Sequence, residues 1–348
     1  MQLVAMGAQD VFLTGNPQIT FFKVVYRRHT NFSIEAVVQA FNSDIKSATS
    51  ATATCTIARS GDLISNMWLD VKMAGQTAAT NGTYCNWINN TGHAFIDKCE
   101  IEIGGQLIDK HYGHWMEVWA ELTEQNDAGI ITSIADDAEL VQGTKFQNMS
   151  GFGGVNGSAT PTQTPIWIPL FFWFCRNPGL ALPLIALQYH EVKIITKFAS
   201  TTDSQVTKNG DLNLWVDYIY LDTDERRRFA QVSHEYLIEQ LQYISTNDKI
   251  MHNLNFNHPV KELIWTGPPT GKGTSGNIST PTTLTSGTYH LELNGHQRFA
   301  PRDYRYFTKT QVWQHHSGFG GLTPTGVGGL SNSIAVYSFA LKPEDHQP

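Results

Sequence analysis

The sequence predicts an all-β protein: two antiparallel β-sandwiches in tandem, the first carrying a small helical insertion. Three observations carry that prediction. The composition is 41% hydrophobic, 11% aromatic and only 16% charged, with 29 glycines and 14 prolines, whereas helical surfaces are normally rich in Glu and Lys. Short apolar or alternating runs recur between Gly-, Asn-, Thr- and Pro-rich punctuation. The chain also repeats itself faintly, in four anchors that keep their order roughly two hundred residues apart.

Ser33-Ile34-Glu35 is echoed by Leu237-Ile238-Glu239, and Gly61-Asp62-Leu63-Ile64 by Lys261-Glu262-Leu263-Ile264. Ile101-Glu102-Ile103-Gly104-Gly105 is echoed by Leu291-Glu292-Leu293-Asn294-Gly295, and the apolar run Ile166–Phe172 by Ile334–Ala340. The offset shrinks from each anchor to the next, as two copies of one fold with loops of different length would give. Gly104-Gly105 and Asn294-Gly295 are both two-residue hairpin signals, so the third anchor repeats a turn as well as a text. Leu180–Phe198 and Leu212–Leu221 read as further strands by their β-branched and aromatic content. Tyr112, Trp115, Met116, Trp119 and Leu122 fall at helical spacing, and Ser133 precedes a second short helical candidate, Ile134–Val141. This helical pair reads as a decoration of the first copy that the second lacks. Gly143–Pro165, Lys272–Gly287 and Ser317–Gly329 read as exposed loops.

A boundary is expected near Asp222–Ser233, giving an N-terminal arm at 1–30, a first sandwich at 31–224 and a second at 225–348. After its fourth anchor the first copy continues through two strand-like segments, while the second has only Leu341 to Pro348. The duplication therefore predicts that the second sandwich lacks its closing strands and that the sequence is part of a longer chain.

Charge and motif content exclude several functions. A net charge of -7 argues against direct nucleic-acid binding, which needs Lys and Arg to neutralise phosphates. Arg226-Arg227-Arg228 reads as a solvated strand end. Cys55, Cys85, Cys99 and Cys175 show no CxxC spacing and no disulfide framework, and Cys175 reads as a small buried hydrophobe. The N-terminus has no basic segment followed by a long apolar stretch, so no signal peptide is predicted and synthesis in the host cytoplasm is expected. The apolar run Ile166–Cys175 is too short for a membrane span. His111 and His114 have a ligand-like spacing without a matching cysteine pair, so no metal and no cofactor are expected. His315-His316 lies in a Gly-rich stretch and reads as solvated. Asp136-Asp137 and Glu100 with Glu102 could be drawn as a glycosidase acid and base, but each reads as a wet surface pair. No nucleophile or phosphate-loop motif occurs, so the chain is expected not to be an enzyme. Sequons occur at Asn31, Asn81, Asn89, Asn148, Asn156 and Asn277, the last five in loop-like stretches that would permit glycans.

The run Gly7–Ser33 resembles the opening of the major capsid proteins of nucleocytoplasmic large DNA viruses, those infecting algae most closely. The likeness continues in Arg59–Ile64, Ile101–His111, Asn177–Val192 and Trp215–Ile219, then in His234–Leu241, Leu254–Pro259 and Tyr337–Pro343. What it implies is a tandem double jelly-roll and a structural, glycosylated virion protein made late in infection. Three copies would form a pseudo-hexagonal capsomer that tiles an icosahedral shell. Partners would be itself as a homotrimer, neighbouring capsomers and minor capsid proteins beneath the shell, with the internal viral membrane nearby. By resemblance the arm around Gly15, Asn16, Pro17, Arg27 and Arg28 lies at the capsomer base; its residues alone read as a turn and then an apolar strand-like stretch, Ile19–Tyr26. Glycans in such proteins need not sit on sequons. The competing reading is a carbohydrate-binding or carbohydrate-active β-sandwich, disfavoured because the tryptophans mostly fall in apolar patterns expected to be core.

Overall fold

In the computed structural model the described residues are 16, 22–24, 26–43, 51–73, 91–124, 145–150, 164–199, 208–245, 251–266, 287–318 and 333–346. Nine strands come first: β1 (Phe32–Ala40), β2 (Ala51–Thr56), β3 (Leu63–Met73), β4 (Ile96–Ile103), β5 (Gln106–Tyr112), β6 (Thr164–Pro169), β7 (Leu182–Pro183), β8 (Val192–Phe198) and β9 (Lys208–Leu221). One sheet has the order β1-β9-β3-β6, with short β7 also on β3; the other has the order β2-β8-β4-β5. All these pairings are antiparallel. Early strands alternate between the sheets, and the last long strand returns between the first and third. That is the strand order of an eight-stranded jelly-roll, β7 being an accessory.

Period-two alternation explains the core. In β8, Val192, Ile194, Thr196 and Phe198 point inward while their neighbours are half-buried. Leu214, Val216 and Tyr218 of β9 face them with Leu69, Val71, Ile166 and Ile168. Two of the polar members find partners: the Tyr218 hydroxyl donates to the Ala58 carbonyl at 2.6 Å, and Thr196 Oγ1 lies 3.5 Å from Cys99 Sγ. Cys55, Cys99 and Cys175 are free thiols, and burial pushes Cys55 up to about 11 and Cys99 to about 12. Cys175 is only half-buried as a residue.

Later in the chain come β10 (Glu262–Thr266), β11 (Thr288–Tyr289), β12 (Glu292–Leu293), β13 (His296–Gln297), β14 (Arg302–Asp303) and β15 (Ile334–Ser338). The repeat survives a non-local test here. The strands that carry its second and fourth anchors pair antiparallel in both copies, in different register: Leu69, beyond the anchor's Ile64, lies opposite Ile168 between β3 and β6, whereas Ile264 itself lies opposite Val336 between β10 and β15. Both third anchors turn as expected, with φ of 60° and 82° at Gly104 and Gly105, and 53° and 78° at Asn294 and Gly295. Two consecutive left-handed residues make the hairpin turn that matches strand twist.

Among the described residues the helices are α1 (Thr91–Phe95), α2 (Gly113–Thr123), α3 (Lys145–Ser150), α4 (Trp173–Arg176), α5 (Thr223–Gln231) and α6 (Gln311–His315), the last continuing a π-helical turn, Tyr306–Thr310. Several expectations change. The helix after the third-anchor hairpin is not confined to the first copy, because Tyr306–His315 occupies the same place in the second; its apolar pattern is too short to stand out in sequence. Arg226, Arg227 and Arg228 lie in α5, not on a strand end. The Asp222 carboxylate accepts from Thr223 N at 2.7 Å, and Asp224 and Glu225 in the first turn complement the helix dipole. Leu237-Ile238-Glu239 forms no strand; Tyr236 and Ile238 pack against the first core instead, and Leu241 N donates to Asp109 Oδ1 at 3.1 Å. Within Ile19–Tyr26, the described Phe22, Val24 and Tyr26 are exposed and not in a strand. Asn148 sits in α3, not in a loop. Ile134–Val141, Asp136, Asp137, Cys85, Gly15, Pro17, Asn81, Asn89, Asn156 and Asn277 lie outside the described residues.

Candidate functional site: the seam between the two units and the exposed faces

Helix α2 starts where β5 ends, and only glycine fits its first position. A Cβ on Gly113 would lie 2.2 Å from the carbonyl oxygens of both His93 and Ile96. The helix then serves two cores. Met116 packs into the first sandwich. Val118 and Leu122 cluster instead with Val312, Ile334 and Val336, flanked by Trp115 and Ile264. Gly318 N donates to the Leu122 carbonyl at 2.7 Å, and His114 Nε2 is 3.1 Å from Thr266 Oγ1. A helix of the first sandwich thus supplies apolar surface to the second unit.

Charged groups close the same seam. The Arg176 guanidinium lies 4.2 Å over the Trp119 ring and donates to Glu239 at 3.0 Å and to the Phe171 carbonyl at 2.9 Å. Burial lowers its pKa while Glu239 opposes the shift; a guanidinium stays charged regardless. Glu239 also pairs with Lys261, which reaches the Asp345 carbonyl.

His316 is the group that sequence reasoning most misjudged. It is not solvated: its side chain is fully shielded, Nε2 3.0 Å from Glu262 and Nδ1 3.0 Å from Glu344, and its ring meets Trp119 edge-on at 6.5 Å. Burial disfavours the cation, but hydrogen bonds and charge from the two carboxylates outweigh it and raise the pKa to about 9. The Glu344 carboxyl is held below its ordinary value, His316 and Ser317 outweighing the effect of burial. No local spacing links positions 262, 316 and 344, so no motif could have found the clamp.

The other chemical candidates disperse. His111 Nε2 pairs with Asp109 at 2.9 Å and its ring stacks on Phe172 at 4.7 Å; His114 is spent on Thr266. Among the described residues no group of three His, Cys, Asp or Glu could hold a metal. Glu100 lies 2.8 Å from Lys98 and 3.8 Å from Lys110, an ion cluster and not an acid–base pair. Asn16, at φ 50°, and Arg27 and Arg28 are exposed. The tryptophans are less buried than expected: Trp119 and Trp173 are core, but Trp68, Trp115, Trp215 and Trp265 are half-buried and Trp167 and Trp313 exposed. Among the described residues no helix is long and apolar enough to cross a membrane.

The seam is thus made of packed cores and salt links. The comparisons say to which family the chain belongs. Residues 20–222 match the family described as major capsid protein N-terminus, and residues 225–348 match the large eukaryotic DNA virus major capsid protein. The chain belongs to this capsid protein family. The major capsid protein of Pyramimonas orientalis virus is 48% identical over 368 residues, covering 100% of this chain and 87% of that one. That of Phaeocystis pouchetii virus is 44% identical over 336 residues, covering 86% of this chain and 63% of that one; this capsid protein therefore spans less than two thirds of that relative's length. Among solved structures, the quasi-atomic PBCV-1 virus capsid superposes with a TM-score of 0.71 at 34% identity, covering 94% of this chain and 83% of that chain. Proteins of this family are structural components of the virion, and the mostly-β antiparallel architecture of this capsid protein matches theirs.

Proposed function

We propose that this capsid protein is a double jelly-roll that associates in threes, so that six similar sandwiches form a pseudo-hexagonal capsomer of an icosahedral shell. The observation that carries the reading is the duplication. The matching strand pairs β3–β6 and β10–β15 support two related units in each chain, and three chains with two units fill a six-sided position. The division falls at 31–224 and 225–348, preceded by an arm at 1–30. Neighbouring capsomers, minor capsid proteins beneath the shell and the internal membrane are its surroundings, and it catalyses no reaction.

The exposure of Asn16, Arg27 and Arg28 supports an arm, with Gly15 and Pro17, that meets other components at the capsomer base. Asn81, Asn89, Asn148, Asn156 and Asn277 are candidate glycan acceptors, to be read by peptide mass spectrometry of protein from virions. The trimer is tested by sedimentation across a hundredfold dilution. A mass of three chains, each 38.8 kDa, is expected throughout; a single-chain mass at every concentration overturns it.

A further inference from the structure

The outward face of the β1-β9-β3-β6 sheet has the wrong composition for a solvated surface. Leu69, Val71, Ile168, Leu214 and Val216, which face the core, are each 0% exposed, so their sequence neighbours face out. Pairing places Val38 opposite Trp215, Trp215 opposite Trp68, and Asp70 opposite Trp167. A band of three indoles and a valine therefore crosses four strands, with Val38 48% and Trp167 38% exposed. An antiparallel sheet that faces water on one side normally alternates apolar-in with polar-out. The chain covers one end of this face itself, where Phe229 of α5 packs with Leu63 and Ile219. Nothing among the described residues does the same for the aromatic end.

Its charged positions are Asp70 and Asp217, with Lys72 of β3 sharing the face by the same alternation. Asp70 accepts from Trp215 Nε1 at 3.2 Å, and Asp217 from Asn66 Nδ2 at 3.2 Å; both keep lone pairs for an incoming donor. The second unit carries the complement. Arg298, Arg302, Arg305 and Lys309 are all exposed around a single carboxylate, Asp303, and the Arg302 guanidinium lies 4.3 Å over the Tyr306 ring. Aromatic and Arg side chains of this kind dominate interface energetics.

We infer that the aromatic end of this sheet face is where a second copy of the chain docks, through the basic Arg298–Lys309 segment of its second unit. The inference rests on the trimer reading and deepens it. A ring of three needs a head-to-tail contact between two different patches on each chain, and an acidic aromatic face on one unit with a basic aromatic segment on the other provides them.

Sedimentation of four proteins tests this, each first shown to keep the far-UV spectrum of the unmodified chain. Val38→Lys with Trp167→Lys is expected to reduce the mass from three chains to one. Arg302→Glu with Arg305→Glu, both on exposed side chains, is expected to do the same. Combining all four substitutions is expected to recover the three-chain mass in part, because the introduced lysines meet the introduced glutamates while Asp70 and Asp217 now oppose those glutamates. A three-chain mass in either double variant overturns the docking site while leaving the trimer standing. Loss without recovery in the combined protein overturns the basic segment as counterpart. A single-chain mass for the unmodified protein overturns the trimer and this site together.

Discussion

Replacing Leu122 by alanine should loosen the second unit more than the first, although Leu122 belongs to a helix that grows out of the first sandwich. Its side chain is 0% exposed and packs with Val118, Val312, Ile334 and Val336. Buried Leu→Ala changes cost 2–5 kcal/mol depending on how far the site collapses, and a cavity walled by two strands and a helix points to about 3 kcal/mol. If that cost falls on a partial opening of the second unit, amide protection there drops about a hundredfold, at roughly 1.4 kcal/mol per factor of ten. Hydrogen exchange with peptide-level mass readout is the assay. Residues 262–266 and 334–338 should exchange about a hundredfold faster, with 192–198 and 212–221 unchanged. Met116→Ala, on the other face of the same helix and in the first core, should give the opposite distribution. Equal acceleration in both units, or none in 334–338, would refute the division of α2 between two cores.

Further outcomes follow from the clamp and from two glycines. The His316 pKa stands near 9 against an ordinary 6.5, so its contribution to stability is complete below pH 6.5 and is lost as pH rises through 9. At its largest this amounts to about 3 kcal/mol. Melting temperature should fall between pH 6.5 and 9, and His316→Gln should flatten that dependence; an unchanged slope would count against the clamp. Gly113→Ala should cost about 3 kcal/mol through collision with two carbonyl oxygens, whereas Gly105→Ala, with nothing within 4 Å but φ at +82°, should cost about 1 kcal/mol. Urea midpoints compare the two, and a larger loss at Gly105 would invert the argument.

The strands and turns were legible because their signals are local. Period-two alternation marks β8, and Gly104-Gly105 and Asn294-Gly295 fix their hairpins through φ values that few other residues adopt. The duplication was legible because the anchors keep their order. Illegible features depend on partners distant in sequence. Leu237-Ile238-Glu239 has a strand's composition, but Asp109 and the first core claim its neighbours. His316 sits among glycines, a solvent-facing pattern, yet two carboxylates from far-apart segments enclose it. Trp68 and Trp215 read as core because they are apolar in apolar strands; sequence periodicity does not say which of two faces is covered. Tyr306–His315 is too short for helical periodicity to separate it from a loop.

The divided allegiance of α2 also bears on how the chain is made. Synthesis proceeds from the N-terminus and domains fold as they emerge. The first sandwich can therefore close around Met116 while Val312, Ile334 and Val336 are still untranslated. During that interval Val118 and Leu122 form a sticky stripe on an otherwise finished surface, and at the concentrations of a cell producing virions a stripe of that kind is open to neighbouring nascent chains. The ribosome resolves the hazard only when β15 is delivered, so the rate of elongation from α2 to β15 sets how long each newborn subunit is vulnerable to pairing with the wrong copy.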